Sequence, residues 1–178
     1  MNTGAPRWSP CCDREIALRD GTQVRMRPIR PDDEPRLVAL YEHLSRDSRY
    51  QRFFSVRQRL PPDWVRFLAN VDYQRRFALV AEAPDDPDTL IGVARYEPGS
   101  EPDLVEVAFV VQDAWQGRGL GTVLFRELLA AAESNGIRRF QAWVLAENRR
   151  MLALIARLGD VQQRASAQGV VELIFAPR

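Results

Sequence analysis

The chain has 178 residues, of which 46% are hydrophobic and 28% are charged, and this composition is typical of a soluble globular protein with a single domain. Its formal net charge of +1 indicates neither a nucleic-acid-binding protein nor a protein that binds a membrane surface. No apolar run is long enough to span a bilayer and no signal segment opens the chain, so we expect a cytoplasmic protein.

Residues that commonly bind metal are scarce. Two cysteines and one histidine cannot supply a four-ligand metal site without several carboxylates, so no metal is expected. Cys11 and Cys12 are adjacent, and adjacent cysteines rarely form an unstrained disulfide, which indicates free thiols in a reducing compartment. All 25 basic residues are arginines, so the chain has no lysine of its own that could be modified.

The sequence opens with a segment that lacks a regular pattern. Residues 1–20 are expected to form a loosely ordered leader, followed by a single domain over residues 21–178. Apolar and polar residues alternate over residues 22–29, which predicts a strand. Capping residues and helical spacing then predict a helix over residues 32–44, a short helical segment at 50–54 and a helix from residue 61.

The rest of the chain alternates strands and helices. An amphipathic helix is predicted over residues 119–135, and a second one is capped by Asn148 and ended by Gly159. The strand, helix and strand within residues 104–145 favour a parallel pair, while the other strands are expected to be antiparallel. The sequence therefore predicts an α+β fold around one mixed, mostly antiparallel sheet of about seven strands, in the order β, α, α, β, β, β, α, β, α, β, β. The later strands are predicted at residues 77–83, 90–96, 104–111, 140–145, 161–165 and 170–175.

A glycine-rich turn joins the strand at 104–111 to the next helix. Gly117, Gly119 and Gly121 leave the amides of the helix N-terminus open to an anion, because these amides have no partner inside the helix. The spacing does not fit a mononucleotide P-loop, which needs a lysine, or a dinucleotide fingerprint, whose third glycine comes one residue later. The turn therefore predicts a phosphate site of another kind, with Arg118 adding positive charge.

The turn Gln116-Gly117-Arg118-Gly119-Leu120-Gly121 fits the pattern Q-x-x-G-x-G and resembles the GNAT superfamily of acyl-CoA-dependent N-acetyltransferases. Asn148, Met151 and Gly159 stand where members of that family have the opening Asn, a small or Met residue three positions later, and the closing Gly of the next helix. The order of predicted elements is similar to that of the family from about residue 22 to residue 175. The resemblance thus implies a GNAT fold for nearly the whole chain.

The resemblance also implies that acetyl-CoA is the cosubstrate, with its pyrophosphate on the glycine turn and its pantetheine arm along the preceding strand. A backbone N–H near Val111 would polarise the thioester carbonyl, and Asn148 would contact the arm from the other side. Asn148 is equally expected to act as a plain helix cap, and one residue can do both. The implied cofactor-binding residues are Phe109, Val110, Val111, Gln116, Gly117, Arg118, Gly119, Leu120, Gly121, Thr122 and Asn148.

Glu106 lies in the otherwise apolar strand VEVAFVV and is the candidate general base. Val105 and Val107 are expected to desolvate its carboxylate in part, which would raise its pKa toward a value useful for catalysis. The alternative is an outward-facing glutamate on a half-exposed strand, but the resemblance favours the base, because a glutamate in this strand serves as base in many members. Glu82 is a weaker alternative. Ile155 stands where many members have a tyrosine that protonates the leaving thiolate, so the source of that proton is open.

The stretches MRPIRPDDEPRLVALYEHLSRDSRYQRFF and ENRRMLALIARLG resemble the bacterial protein lysine acetyltransferases of this superfamily. That resemblance implies protein lysine side chains as acceptors, whereas acetylation of a small amine and a non-catalytic acyl-CoA-binding module remain alternatives. The sequence leaves the acyl-chain preference and the oligomeric state open. Five arginines crowd where the acceptor is expected, and they would meet an acidic protein surface or CoA phosphate, or form a solvated face: Arg46, Arg49, Arg52, Arg57 and Arg59.

Overall fold

One mixed sheet organises the fold. This computed structural model describes residues 12–55 and 57–178, which form eight strands and five α-helices. The strands are β1 (Arg14–Ala17), β2 (Gln23–Pro28), β3 (Phe77–Ala83), β4 (Asp86–Pro98), β5 (Leu104–Val111), β6 (Arg139–Leu145), β7 (Gly159–Ala167) and β8 (Val170–Pro177). The helices are α1 (Glu34–His43), α2 (Arg46–Phe53), α3 (Pro62–Ala69), α4 (Leu120–Ser134) and α5 (Arg149–Leu158).

The strands lie in the order β1-β2-β3-β4-β5-β6-β8-β7. Among the described strands, β5 and β6 are the one parallel pair, and α4 forms the connection between them. All other neighbouring strands are antiparallel. The predicted α+β fold around a mixed, mostly antiparallel sheet is therefore confirmed.

The sheet has one strand more than predicted, because β1 lies within the segment expected to be a leader. This strand pairs antiparallel with β2, and Ile16 is the one buried residue among its four. A strand this short carries too little alternation to be recognised from the sequence. The expected leader boundary at residue 20 is thus wrong for Arg14–Ala17. Residues 1–11, including Cys11, lie outside the described part of the chain, and Cys12 is buried.

Several elements extend beyond their predicted bounds because their outer residues are polar. β7 is an edge strand whose residues after Gly159 are all exposed, so its sequence lacks the alternation of a half-buried strand. α2 begins well before the predicted segment at 50–54, because Ser45 caps it. The Ser45 hydroxyl accepts a hydrogen bond of 3.1 Å from the backbone N–H of Ser48.

Helices cover both faces of the sheet. α4 buries Leu120, Leu124 and Leu128 against one face, where Ile155 of α5 joins the same core. α1 and α3 cover the other face around a second core that includes Leu37. The inner strands are therefore buried on both sides, as in an α+β protein whose helices sandwich the sheet.

β5 and β6 stay together for only part of their length. Their parallel ladder runs from the pair Leu104–Arg139 to the pair Glu106–Gln141, whereas β5 remains paired with β4 as far as Val111. Within the described residues, the backbone of β5 beyond Glu106 has no strand partner on the side of β6. Backbone amides and carbonyls in such a gap need water or a ligand as a partner, so the gap indicates a binding site.

A buried ion cluster fixes the start of α1 on the sheet. Arg27 of β2 is 2% exposed and donates two hydrogen bonds of 2.8 Å to Asp33 and one of 2.5 Å to Glu82. Asp33 also accepts a hydrogen bond of 2.8 Å from the backbone N–H of Arg30. Burial acts to raise the pKa of Asp33, but the hydrogen bonds from Arg27 and Arg30 outweigh it and lower this pKa overall.

We expect Arg27→Met to cost about 3–5 kcal/mol in the free energy of unfolding, because it removes the guanidinium that two buried carboxylates share. Urea unfolding at neutral pH measures this loss. Arg25→Met is the matched control on the same strand, since the Arg25 side chain is 50% exposed and pairs with Asp13 near the surface. It is expected to cost about 1 kcal/mol or less. Equal losses in the two variants would contradict the assigned role of Arg27.

Candidate active site

The gap between β5 and β6 opens into a cleft of about 480 Å³, within the range of small-molecule and cofactor sites. β5 lines the cleft from Glu106 to Val111, and Gly117, Gly119 and Gly121 line its far end. A strand rises about 3.3 Å per residue, so about 17 Å separates Glu106 from the end of β5. The predicted base and the predicted phosphate site therefore belong to one elongated cleft.

The glycine turn presents backbone amides at the start of α4. Gly117 and Gly119 have φ angles of 74° and 91°, in the left-handed region that glycine adopts with the least strain. No side chain of the described residues caps the helix at Gly119, so a cap does not occupy its first amides. Free amides and the helix dipole together favour an anion at this position.

The glycines at the start of α4 are constrained for different reasons. A Cβ atom at Gly119 would lie 3.1 Å from Cγ of Arg19, so both the φ angle and the close approach of Arg19 require glycine. A Cβ atom at Gly121 would lie 3.4 Å from the ring of Phe109, which is an ordinary contact distance. Gly121 also lies inside the helix, so its backbone conformation suits any residue.

Positive charge around the cleft comes from arginines that the sequence did not single out. Arg19, Arg150 and Arg157 line the cleft, and Arg157 donates a hydrogen bond of 3.0 Å to the hydroxyl of Thr122. The backbone N–H of Arg19 donates to the carbonyl of Arg118 at 3.2 Å, which brings the N-terminal segment to the glycine turn. No local sequence pattern predicts a contact between residues so far apart in the chain.

The side chain of Arg118 lies outside the cleft. Its guanidinium donates to Asp20 at 2.7 Å and to the hydroxyl of Thr22 at 2.8 Å, and it lies 4.2 Å from the centroid of the Trp115 ring. This corrects the expectation that Arg118 adds its charge to the phosphate site. The side chain of Leu120 is likewise buried in the core, so both residues offer only backbone to a ligand.

Gln116 holds the glycine turn against the end of β5. Its side-chain amide donates to the carbonyl of Val111 at 2.9 Å and to the hydroxyl of Ser48 at 3.1 Å. Val111 lines the cleft together with Phe109 and Val110, and contact of these residues with a pantetheine arm stays a prediction. Gln116 therefore positions the turn in addition to lining the cleft.

Asn148 caps α5 and also lines the cleft. Its Oδ1 accepts a hydrogen bond of 3.2 Å from the backbone N–H of Met151, and this bond is the helix cap. Among the described residues, its side-chain amide nitrogen has no hydrogen-bond acceptor. The cap thus leaves a donor at the cleft surface, and a ligand contact by Asn148 stays a prediction.

Glu106 is the carboxylate of the cleft. It pairs across the sheet with Glu97 of β4 and Gln141 of β6, at the last step of the parallel ladder, and its side chain is exposed in the cleft. Partial desolvation raises the pKa of Glu106 above its ordinary value, while Arg52 opposes this rise and Glu97 adds to it. A carboxylate in this position can accept a proton from an amine that enters the cleft.

The other candidates for proton transfer lie away from the cleft. Glu82 is buried in its ion pair with Arg27 and does not line the cleft, so it cannot replace Glu106 as base. Ile155 is fully buried in the core. No tyrosine of the described residues lines the cleft, so the structure offers no phenol to the leaving thiolate.

Residues 12–55 and 57–178 contain neither a membrane-spanning helix nor a cluster of metal ligands. No helix in these ranges is long and apolar enough to cross a membrane. No group of three or more histidine, cysteine, aspartate and glutamate side chains in these ranges is arranged to hold a metal ion.

Two proteins that are similar to this chain in sequence are acetyltransferases. An acetyltransferase of Pseudomonas aeruginosa is 35% identical over 149 residues, which cover 83% of this chain and 80% of the relative. The acetyltransferase Pat of Mycolicibacterium smegmatis is 34% identical over 164 residues, which cover 91% of this chain but only 48% of Pat. The chain therefore spans about half the length of that second relative.

Solved structures show the same fold. The GNAT domain of S. lividans PAT has a TM-score of 0.85 and 36% identity, and the match covers 96% of this chain and 99% of that domain. A cAMP-binding acyltransferase from Mycobacterium smegmatis has a TM-score of 0.63 and 27% identity, with 93% of this chain and 48% of that protein covered. A family model described as acetyltransferase (GNAT) matches residues 36–160, more than half of the sequence. The chain therefore belongs to the GNAT family of acetyltransferases.

Proposed function

We propose that this acetyltransferase transfers the acetyl group of acetyl-CoA to lysine side chains of other proteins. The observation that carries the proposal is that two exposed aromatic side chains line the same cleft as Glu106. Phe54 and Trp143 line the cleft and are 39% and 42% exposed. Exposed rings at the mouth of a cleft can contact the aliphatic stem and the ammonium group of a lysine that another protein presents. A pocket for a free small amine would instead enclose its ligand.

The cleft fits acetyl-CoA in the groups that it offers. The amides of the glycine turn, from Gln116 to Thr122, would hold the diphosphate, with Arg19 and Arg157 close by. The free edge of β5 beyond Glu106 would pair with the amides of the pantetheine arm. Acetyl-CoA supplies the thioester whose carbonyl carbon the acceptor amine attacks.

The residues of the chain would then accept the proton of the amine and stabilise the negative charge on the thioester oxygen. An alkylamine has a pKa of about 10.4 in water and is protonated at neutral pH, so a base must take its proton before attack. Glu106 would accept that proton, and a backbone N–H near Val111 would stabilise negative charge on the thioester oxygen. A thiol with a pKa of about 8.5 can leave without an acid, which agrees with the absence of a tyrosine from the described lining of the cleft.

Acetyl-CoA at a concentration 100 times its Kd should raise the melting temperature by roughly 5–10 °C, because it binds the native state and adds about 2.7 kcal/mol to its stability. Thiol release across a panel of proteins, peptides and small amines, with mass spectrometry of the products, then identifies the acceptor. Because the chain contains no lysine, acetyl-lysine found by mass spectrometry must belong to the acceptor protein.

The same panel separates the alternatives. Acetylation of small amines alone would replace protein lysine as the acceptor class. A stabilising shift without thiol release from any acceptor would indicate an acyl-CoA-binding module. No shift at saturating acetyl-CoA would remove the ligand assignment itself.

Glu106→Gln should lower kcat by roughly 10²- to 10⁴-fold while leaving the affinity for acetyl-CoA nearly unchanged, because only the proton acceptor is lost. The carboxylate is the active form, so wild-type activity should fall as the pH drops through a pKa above the ordinary value for glutamate. The Glu106→Gln variant should lack this fall in activity at low pH, which is the acid limb of the pH profile. Glu147→Gln is the control, since Glu147 is exposed and does not line the cleft. A variant as active as the control at neutral pH would rule Glu106 out as the base.

Gly119, which precedes α4, and Gly121, in its first turn, give a matched pair for the phosphate site. Gly119→Ala should weaken acetyl-CoA binding about tenfold, because Arg19 must shift and the turn can relieve about 1–2 kcal/mol of left-handed strain only by leaving the conformation that presents its amides. Gly121→Ala should change binding less than about threefold, because its Cβ atom meets only ordinary contacts. Calorimetric titration of each variant with acetyl-CoA measures the difference. Equal affinities would contradict the role assigned to the turn.

A further inference from the structure

Arg52 is one of the charged side chains that line the cleft, and among the described residues it has neither a hydrogen bond nor an ion pair. Arg52 stands near the end of α2, is partly buried and lines the cleft together with Glu106 and Ala108. Among the described residues, no carboxylate oxygen lies within 4.0 Å of its guanidinium and no hydrogen bond engages it. Its contact is with the face of the Phe53 ring, whose centroid lies 4.6 Å away.

The other arginines of this region have different positions. Arg49 donates to two backbone carbonyls of α1, at 2.9 and 3.1 Å. Arg57 lies 5.3 Å from the centroid of an aromatic ring of α3. Arg46 and Arg59 are exposed. Of the five arginines expected near the acceptor, Arg52 alone lines the cleft.

An unpaired guanidinium in this position is unfavourable without a ligand. Burial and the neighbouring charge of Arg95 lower the pKa of Arg52 to about 10, so the group still carries its charge at neutral pH. A charge that is partly removed from water and has no close counter-ion destabilises a protein. An anionic ligand at this point would remove that cost.

The surroundings of Arg52 separate it from the phosphate site. The charges that act on it belong to Arg95, Glu106 and Glu97, which lie in the paired stretch of β4 and β5 around Ala108. The phosphates of acetyl-CoA are expected at the glycine turn, beyond the end of β5. An anion bound by Arg52 would therefore lie near Glu106, where the acceptor is expected.

α2 is fixed in place, so Arg52 does not depend on a ligand for its position. Asp113 accepts hydrogen bonds from the backbone and the hydroxyl of Ser45 at 2.9 and 2.6 Å, and from the hydroxyl of Ser48 at 2.9 Å. Gln116 donates to Ser48 at 3.1 Å. A side chain on a helix anchored in this way loses little freedom when it binds.

We propose that Arg52 binds a carboxylate next to the acceptor amine, so that preferred substrates carry an aspartate or glutamate beside the acceptor lysine. The inference rests on the proposed function. The planar guanidinium matches a carboxylate through two parallel hydrogen bonds. Glu106 would then lie opposite the ammonium group of the acceptor, and Arg52 would lie opposite its carboxylate. A free amino acid carries the same two groups, so the experiment includes one.

The test uses two peptides that differ only in the residue beside one lysine, aspartate in one and asparagine in the other. The wild type should favour the aspartate peptide about tenfold or more in kcat/KM. Arg52→Gln should remove this preference. Arg46→Gln should keep it, because this control removes the same charge from the exposed start of the same helix. Free lysine is assayed as a third acceptor, because a free amino acid carries both an amine and a carboxylate.

Two further readouts separate acceptor binding from an indirect effect on Glu106. Fluorescence anisotropy of each labelled peptide, with the protein saturated with CoA, should show that Arg52→Gln weakens only the aspartate peptide. Loss of Arg52 also removes an interaction that lowers the pKa of Glu106, so the acid limb of the pH profile should move to higher pH for both peptides alike. An unchanged melting shift with acetyl-CoA shows that the variant is folded.

Equal kcat/KM for the two peptides in the wild type would overturn the inference and leave the proposed function standing. A preference that survives in Arg52→Gln would also overturn it. Acetylation of free lysine but of neither peptide, lost in Arg52→Gln, would support the carboxylate contact and replace protein lysine as the acceptor. Failure to acetylate any acceptor would remove both proposals together.

Discussion

The site depends on one break in the sheet. β5 and β6 form three parallel pairs, from Leu104–Arg139 to Glu106–Gln141, and then separate, although β5 continues in register with β4. A continuous ladder would have covered the β6 side of β5 with another strand, and no cleft would exist. The separation instead leaves backbone donors and acceptors of β5 without a strand partner. Such groups need hydrogen-bond partners, and a ligand can supply them. The fold thus prepares a binding edge from the chemistry of the main chain alone.

The two-residue period of β5 then assigns different tasks to the two faces of one strand. Val107, Phe109 and Val111 belong to the core beneath α4, and the Phe109 ring lies 5.3 Å from that of Phe125. Glu106 and Val110 alternate with them and therefore lie on the side of α2. A shift of one residue in register would bury the carboxylate and expose the core residues. The hydrophobic pattern that stabilises the sheet therefore also sets the direction of the candidate base.

Local patterns in the sequence predicted the parts of this arrangement that are local in the structure. The continuous apolar runs gave β3 and β5 their correct bounds. The glycine turn leaves the first amides of α4 without a side-chain cap, as expected from a few adjacent residues, and anion binding there stays a prediction. The sequence did not predict Arg19 as a residue of the cleft, because its position depends on a hydrogen bond to Arg118, which is distant in the chain. Arg118 was assigned to the ligand site for a similar reason, since Asp20 and Thr22, which take its side chain, are distant in sequence.

The arginines show why charge alone is a poor guide to a binding site. Several of them are satisfied within the protein, such as Arg27 by Asp33 and Glu82, and Arg118 by Asp20. An internal partner neutralises a charge and weakens its attraction for a ligand. The useful signal is therefore a polar group that the fold positions but does not satisfy. In this cleft the free edge of β5, the first amides of α4, Glu106 and Arg52 are such groups, and under the proposed function each would complement a different part of a complex between a coenzyme thioester and a charged acceptor.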